Sequence, residues 1–360
     1  MFYYLFYPLH TKVFAFNIFR YITFRAAYAG ITALLISFIF GPKLIRFLKR
    51  HKFCAGIREE GLKNQKEKVG TPTMGGILIL AAVIVSTLLW ADFKESFIII
   101  SLLTVVSLGI LGFYDDYKKT RKGKGVRGLY KIIWQILIGV SVGIWLYFFP
   151  KLPDFVTKTS LLFLKNTFIQ LSYFYVPFVV LVLVGTSNAV NLTDGLDGLS
   201  IGLIGEGALA YAILAYIAGN ANISEYLNIL FVRGSGELSV FLSSVAGASL
   251  GFLWFNAHPA QIFMGDTGSL SLGGAIGITA ILIKQEILLL LVGGVFVIEA
   301  LSVITQVIYF KSTQGRRIFK MAPLHHHFEK LGMAEPKIVI RFWILGVLFM
   351  LLALSTLKIR

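Results

Sequence analysis

The chain is poor in cysteine, in charge, and above all in acidic charge. Cys54 is the sole cysteine, which excludes an intramolecular disulfide and any metal site built from thiolates. Charged residues make up 14% of the 360, where a soluble domain carries about 25%. A soluble fold cannot hide so much apolar surface behind so little charge. No G-x-x-x-x-G-K-[ST] loop occurs, which disfavours a nucleotide-driven motor. The first 20 residues are aromatic-rich and lack a small-residue cleavage site behind a charged stretch. They read as an interfacial segment leading into a first span, not as a cleaved signal peptide.

What is present is hydrophobic. Apolar residues are 56% of the chain, and the dominance of Leu, Ile, Val and Phe excludes disorder. Apolar runs fall near 22–42, 75–91, 97–113, 132–149, 174–190, 199–218, 239–256, 270–284, 287–310 and 339–357. Their lengths suit bilayer-crossing helices. The expected fold is all-α: a polytopic integral membrane protein with about ten transmembrane helices, forming a single domain over 1–360.

Charge sets the expected orientation. Lys plus Arg is 34 and Asp plus Glu is 18, for a net charge of +16. In a membrane protein this points to anionic lipid or a phosphate-rich substrate, and no nucleic-acid partner is expected. Connections 43–74, 114–131 and 311–341 carry nine, seven and seven of the basic residues. All three follow odd-numbered runs, so they share one side, which the positive-inside rule makes cytoplasmic. With ten spans both termini then lie outside.

The same side gathers the residues able to do chemistry. Asp115 and Asp116 stand in GFYDDYKKTRKGKG. Adjacent side chains on a helix diverge by about 100°, so one acid is expected to face a site and the other Lys118, Lys119 or Arg121. The plain alternative is a solvated acid pair. In NAVNLTDGLDGLS, Asn188, Asn191, Asp194 and Asp197 recur every three residues. Their oxygens are hard ligands suited to Mg²⁺, although Asp and Asn also cap helices. Asp266, in FMGDTGSLSLGG, opens the eighth run, where a helix N-terminus with small residues offers N–H groups to a phosphate. His325, His326 and His327 follow Pro323 in MAPLHHHFEK. Three consecutive histidines point in different directions and chelate poorly, yet among Lys and Arg they can donate to phosphate oxygens. Lys68 and Thr73 lie in EKVGTPTMGG, where Lys is a mobile point charge for phosphate. Glu206 and Glu299 fall inside expected spans and take no role at this level. Together these residues read as a Mg²⁺-dependent site for phosphoryl or pyrophosphoryl transfer, between one soluble reactant and one lipid.

At these motifs the chain resembles the phospho-N-acetylmuramoyl-pentapeptide transferases, within the polyprenyl-phosphate N-acetylhexosamine-1-phosphate transferase superfamily. GTPTMGG, DDYKK, NAVNLTDGLDGL, FLWFNAHPAQIFMGDTGSL, KMAPLHHHFE and the terminal RFWILG run carry the resemblance in order along the whole chain. It implies transfer of phospho-MurNAc-pentapeptide from UDP-MurNAc-pentapeptide to undecaprenyl phosphate, giving lipid I and UMP in peptidoglycan synthesis. It further implies ten helices with periplasmic termini, a homodimer, the bacterial inner membrane and an active site on the cytoplasmic face. By motif, Asp266 matches the Mg²⁺ ligand, and Asp115 a proposed base or lipid-phosphate positioner beside Asp116. His325, His326 and His327 match the family's histidine loop. Lys68, Gly195, Leu196, Asn256 and Phe263 match the uridine end. Asp194, Asp197 and Asn191 match the DGLDG segment, and Thr73, Lys119 and Lys131 match the cleft around it. The nearest competing activity is transfer of GlcNAc-1-phosphate from UDP-GlcNAc to a polyprenyl phosphate. A secondary transporter is disfavoured, because its ionisable groups would lie at mid-span and its halves would repeat.

Overall fold

The computed structural model describes residues 1–54, 70–161 and 167–359. A short helix α1 (Phe2–Phe6) and two 3-10 turns lead into α2 (Ile22–Arg50), α3 (Gly76–Trp90), α4 (Ser96–Lys122) and α5 (Gly128–Phe148). Two short antiparallel strands follow, β1 (Lys158–Ser160) and β2 (Phe168–Gln170), before α6 (Tyr175–Thr193). Then come α7 (Leu199–Ala218), α8 (Ala221–Leu227), α9 (Gly236–Asn256), α10 (Gly265–Leu282) and α11 (Leu289–Val292). The chain ends with α12 (Gly294–Ser312), α13 (Leu324–Lys330) and α14 (Glu335–Ile359). The small hairpin departs from the all-α expectation. Its three-residue strands are too short to leave a periodic signal.

Among the described residues, eight helices are long and apolar enough to cross a membrane: α2, α4, α5, α6, α7, α9, α12 and α14. The other two expected spans are α3 and α10. At 15 residues, α3 extends about 22 Å, short of a hydrocarbon core of about 30 Å. Helix α10 has 18 residues, and its first turns carry Asp266, Thr267 and Ser269.

The bundle packs as lipid-embedded helices do, with small residues inward and large ones outward. On α2 the buried stripe is Arg25, Ala29, Ala33, Ser37, Gly41, Ile45 and Leu48, which faces α9. Its opposite face exposes Tyr28, Ile31, Leu35 and Ile39. Helix α10 is the centre. Every residue from Asp266 to Leu282 is buried, and the helix packs chiefly against α4 and α6. Glycine makes this closeness possible. A Cβ on Gly112 of α4 would overlap the Asp266 carbonyl, and one on Gly76 of α3 would overlap the Gly268 amide. Gly112→Ala is therefore expected to push α4 off the first turn of α10. The cost should be about 1–3 kcal/mol of stability, with a larger loss of activity because Asp266 itself moves. Thermal melting in detergent, read beside turnover, checks it.

Helix α4 runs past its apolar stretch to Lys122, and so carries Asp115 and Asp116 on its last turns. It stops at Gly123, whose φ of +69° and N–H bond to Lys119 O make a left-handed cap.

Candidate active site

The functional ends of the helices lie at one face of the bundle: the C-terminal ends of α4, α6 and α9 and the N-terminal ends of α5, α7, α10 and α14. At its centre Asp115, Asp116 and Asp266 hold carboxylate oxygens within 4.8 Å of one another. Two ammonium groups bind Asp115 to Asp266. Lys131, at the start of α5, reaches Asp115 Oδ2 and Asp266 Oδ2, both at 2.7 Å. Lys119 reaches Asp115 Oδ2 at 2.6 Å and Asp266 Oδ1 at 2.9 Å.

The DD pair divides as the 100° rotation requires, with Asp115 on Lys119, one of the expected partners, and Asp116 elsewhere. Asp115 turns to Lys119 and Lys131, and also accepts the Val126 amide at 2.6 Å. Asp116 pairs with none of Lys118, Lys119 or Arg121 among the described contacts. It caps α10 from across the bundle, accepting the amides of Asp266 (3.0 Å) and Thr267 (2.9 Å) and the Thr267 hydroxyl (2.7 Å). This corrects the expectation that the start of α10 offers those N–H groups to a phosphate. A carboxylate already occupies them, because a buried helix terminus needs acceptors. Thr73 joins the same corner, its Oγ1 crowding Gly265, whose φ is +73°.

The DGLDG loop borders this centre. Asn191 donates to Ser269 Oγ at 2.8 Å, docking α6 onto the first turn of α10. Asp194 follows at the end of α6. Burial, then the negative charges of Asp266, Asp116 and Asp197, push its carboxyl up to about 8, with Lys119 opposing. Such a crowd of carboxylates favours an added cation. Leu196 is buried, and Asp197 begins a second cluster with His258 and Glu335. Asp197 Oδ2 lies 3.2 Å from His258 Nδ1 and accepts the Ala260 amide at 3.1 Å. Glu335 Oε1 accepts the Asp197 amide at 2.7 Å. Asn256 accepts the Gly198 amide at 3.1 Å and donates to Ile262 O at 2.8 Å. Phe263 pairs through its backbone with Pro72 (2.8 Å) and Gly75 (2.9 Å). Of the residues matched to the uridine end, Gly195 and Leu196 stand in the DGLDG loop, Asn256 ties that loop at Gly198 to Ile262, and Phe263 joins Pro72 and Gly75; Lys68 lies outside the described residues.

The three histidines take different partners, although the His325 and His326 rings stay in contact, their centroids 4.2 Å apart. His325 is buried on α13 and faces Gly195, where a Cβ would collide with its Nε2. His326 pairs with Glu329 at 3.0 Å. His327 Nδ1 accepts the Lys320 amide at 3.1 Å, and its ring meets Phe319 edge-on. Sequence reasoning passed over His258 and Glu335, and left Glu299 without a role. His258 stands inside the quoted FLWFNAHPAQIF stretch, and Glu335 precedes Pro336 at a helix start. Each carried a positional signal without a chemical one.

The donor set suits a hard divalent cation. Asp266 and Asp115 present carboxylate oxygens toward a shared point, and both oxygens of Asp116 are committed to the α10 cap. Carboxylates with open positions for water and phosphate are the usual Mg²⁺ arrangement.

Comparison with known proteins shows the family of the chain. Residues 98–284 match the glycosyl transferase family 4 model, and residues 68–80 match a phospho-N-acetylmuramoyl-pentapeptide-transferase signature. The chain is 54% identical over 362 residues to the phospho-N-acetylmuramoyl-pentapeptide-transferase of Citrifermentans bemidjiense. It is 51% identical over 362 residues to that of Thermodesulfovibrio yellowstonii and 53% over 364 residues to that of Desulforapulum autotrophicum. Each alignment covers 100% of both chains. The chain belongs to glycosyl transferase family 4 and, within it, to the phospho-N-acetylmuramoyl-pentapeptide transferases.

Proposed function

We propose that this protein transfers phospho-MurNAc-pentapeptide from UDP-MurNAc-pentapeptide to undecaprenyl phosphate, releasing UMP and forming lipid I. The observation that carries the reading is the knot of Asp115, Asp266, Lys119 and Lys131 at the end of a lipid-facing bundle. It sets cations and hard oxygens where a lipid phosphate and a pyrophosphate would meet. Mg²⁺ is the proposed cofactor, held by Asp266 with Asp115 beside it. When bound it would neutralise the pyrophosphate and the departing UMP.

The chain's own residues do the rest. The acceptor is a phosphate monoester with a second pKa of about 6, so it is mostly dianionic near neutrality and needs little deprotonation. Its difficulty is repulsion from the pyrophosphate. Lys119 and Lys131 offset that repulsion and hold the reacting oxygens in line. Asp115 orients these two lysines, since its oxygens already accept three donors. The wall of Gly195, Leu196, Asp197, Asn256 and Phe263, with Lys68, takes the uridine end, and Asp194, Thr73 and Asn191 line the cleft between. Asp115, Asp266 and the histidine loop take the catalytic roles, whereas Asp116, expected among them, acts through the cap it places on the start of α10. The reading includes a single domain of ten spans with periplasmic termini, a homodimer in the bacterial inner membrane, and a cytoplasmic active site.

UMP release in the presence of undecaprenyl phosphate tests the assignment. Turnover is expected with UDP-MurNAc-pentapeptide and not with UDP-GlcNAc, and the reverse preference would overturn it. The orienting role of Asp115 makes a second prediction. Asp115→Asn should lower kcat by about 10²-fold, by a constant factor between about pH 6 and pH 9. Recovery of rate at high pH would make Asp115 a proton acceptor instead.

A further inference from the structure

Glu299 is fully buried in α12, within a membrane-spanning segment, and it faces His325. Its Oε1 accepts the His325 backbone amide at 3.2 Å, and its Oε2 lies 3.2 Å from His325 Nδ1, at pairing distance though off the ideal hydrogen-bond line. The other ring nitrogen, Nε2, is buried, has no hydrogen-bond partner among the described residues, and is directed at Gly195 of the DGLDG loop. Only a residue without Cβ leaves that nitrogen room. An intramembrane acid is costly unless it has a task, and an imidazole with one nitrogen held by a carboxylate has its tautomer fixed.

We propose that Glu299 is a positioning residue: it holds His325 with the proton on Nδ1, so that Nε2 meets an O–H or N–H group of the sugar nucleotide as an acceptor beside Gly195. The proposal rests on the reading of the DGLDG loop as a wall of the donor site, and it deepens it. It also reverses the role expected from the sequence, in which the imidazoles donate to phosphate. Burial lowers the pKa of His325, while the Glu299 carboxylate opposes that shift. His326 and Glu329 are the other titratable neighbours that act on it, from its own helix. The loop side contributes the glycine.

Purified Glu299→Gln in detergent tests the idea, with kcat, KM for UDP-MurNAc-pentapeptide and a pH profile measured together. The amide keeps the shape but loses the charge that selects the tautomer. The expected result is a kcat lower by about 10²-fold, KM within about threefold and an unchanged melting temperature. The acid limb of kcat/KM should also move to lower pH, because loss of the anion disfavours the imidazolium. A variant with normal kcat, or one slowed with its acid limb unmoved, would overturn the proposal. Should Glu299→Gln fail to fold, Glu299→Asp retains the charge on a shorter arm. It is expected to lower kcat while leaving the acid limb in place, and normal turnover would refute the role. His325→Ala separates the two layers. If it is fully active, the reading of His325 in the donor site falls. If it is inactive while Glu299→Gln is normal, only the positioning role falls.

Discussion

Asp266→Asn is expected to abolish lipid I formation, by at least about 10³-fold in kcat, while the protein still folds. The side chain is isosteric, and the main chain of Asp266 remains held by Asp116. What disappears is a negative charge that lies 2.9 Å from Lys119 and 2.7 Å from Lys131. Both ammonium groups keep Asp115 as a partner, so they fall back toward α4 and away from the reacting phosphates. The proposed Mg²⁺ loses its principal ligand at the same time. Adding a chelator to the wild type should reproduce the loss, and raising Mg²⁺ should not rescue the variant. UMP release across a Mg²⁺ titration measures all three. If Asp266→Asn kept more than about a tenth of wild-type activity, the metal would have to be held elsewhere, with Asp194 the next carboxylate in line.

The second large effect belongs to Asp116 and has a different signature. Asp116→Ala removes the acceptor for two amides and a hydroxyl at the start of the most buried helix. Unsatisfied buried donors cost about 1–3 kcal/mol each, only partly relieved by water. A net destabilisation of about 2–4 kcal/mol is therefore expected. Activity should fall by about 10²-fold or more, because an uncapped first turn displaces Asp266, and small misplacements of a reacting group are costly. The two acids of the pair are thus told apart by melting temperature. Asp115→Asn is expected to lose rate without losing the fold, whereas Asp116→Ala loses both. An Asp116→Ala variant with wild-type melting would contradict the capping role.

Composition, run length and the asymmetry of basic loops sufficed for a helical membrane protein with its chemistry gathered at one set of helix ends, because those properties are local and additive along the chain. The 100° rotation between neighbours also sufficed to say that Asp115 and Asp116 part company. It did not say where each goes, since helical periodicity defines faces without naming the helix that opposes them. Asp116 meets α10 only because Gly112 and Gly76 let three helices touch backbone to backbone.

The same limit accounts for Glu299, left without a role, and for the two residues passed over. Glu299 looked like an isolated intramembrane acid until α13 folded back and set His325 against it. Glu335 and His258 reach Asp197 from positions 138 and 61 residues away, a convergence with no trace in local spacing. The adjacent histidines find different partners for the opposite reason: neighbours along a helix present their polar atoms in different directions, so that Glu299, Glu329 and the Lys320 amide each take one. The order of amino acids determined which segments form long apolar helices and which chemical groups stand at their ends. Which group caps, which is left open and which is held by a partner was decided only by the packing of helices distant in the chain, because contact in three dimensions and not position along the backbone satisfies a buried charge.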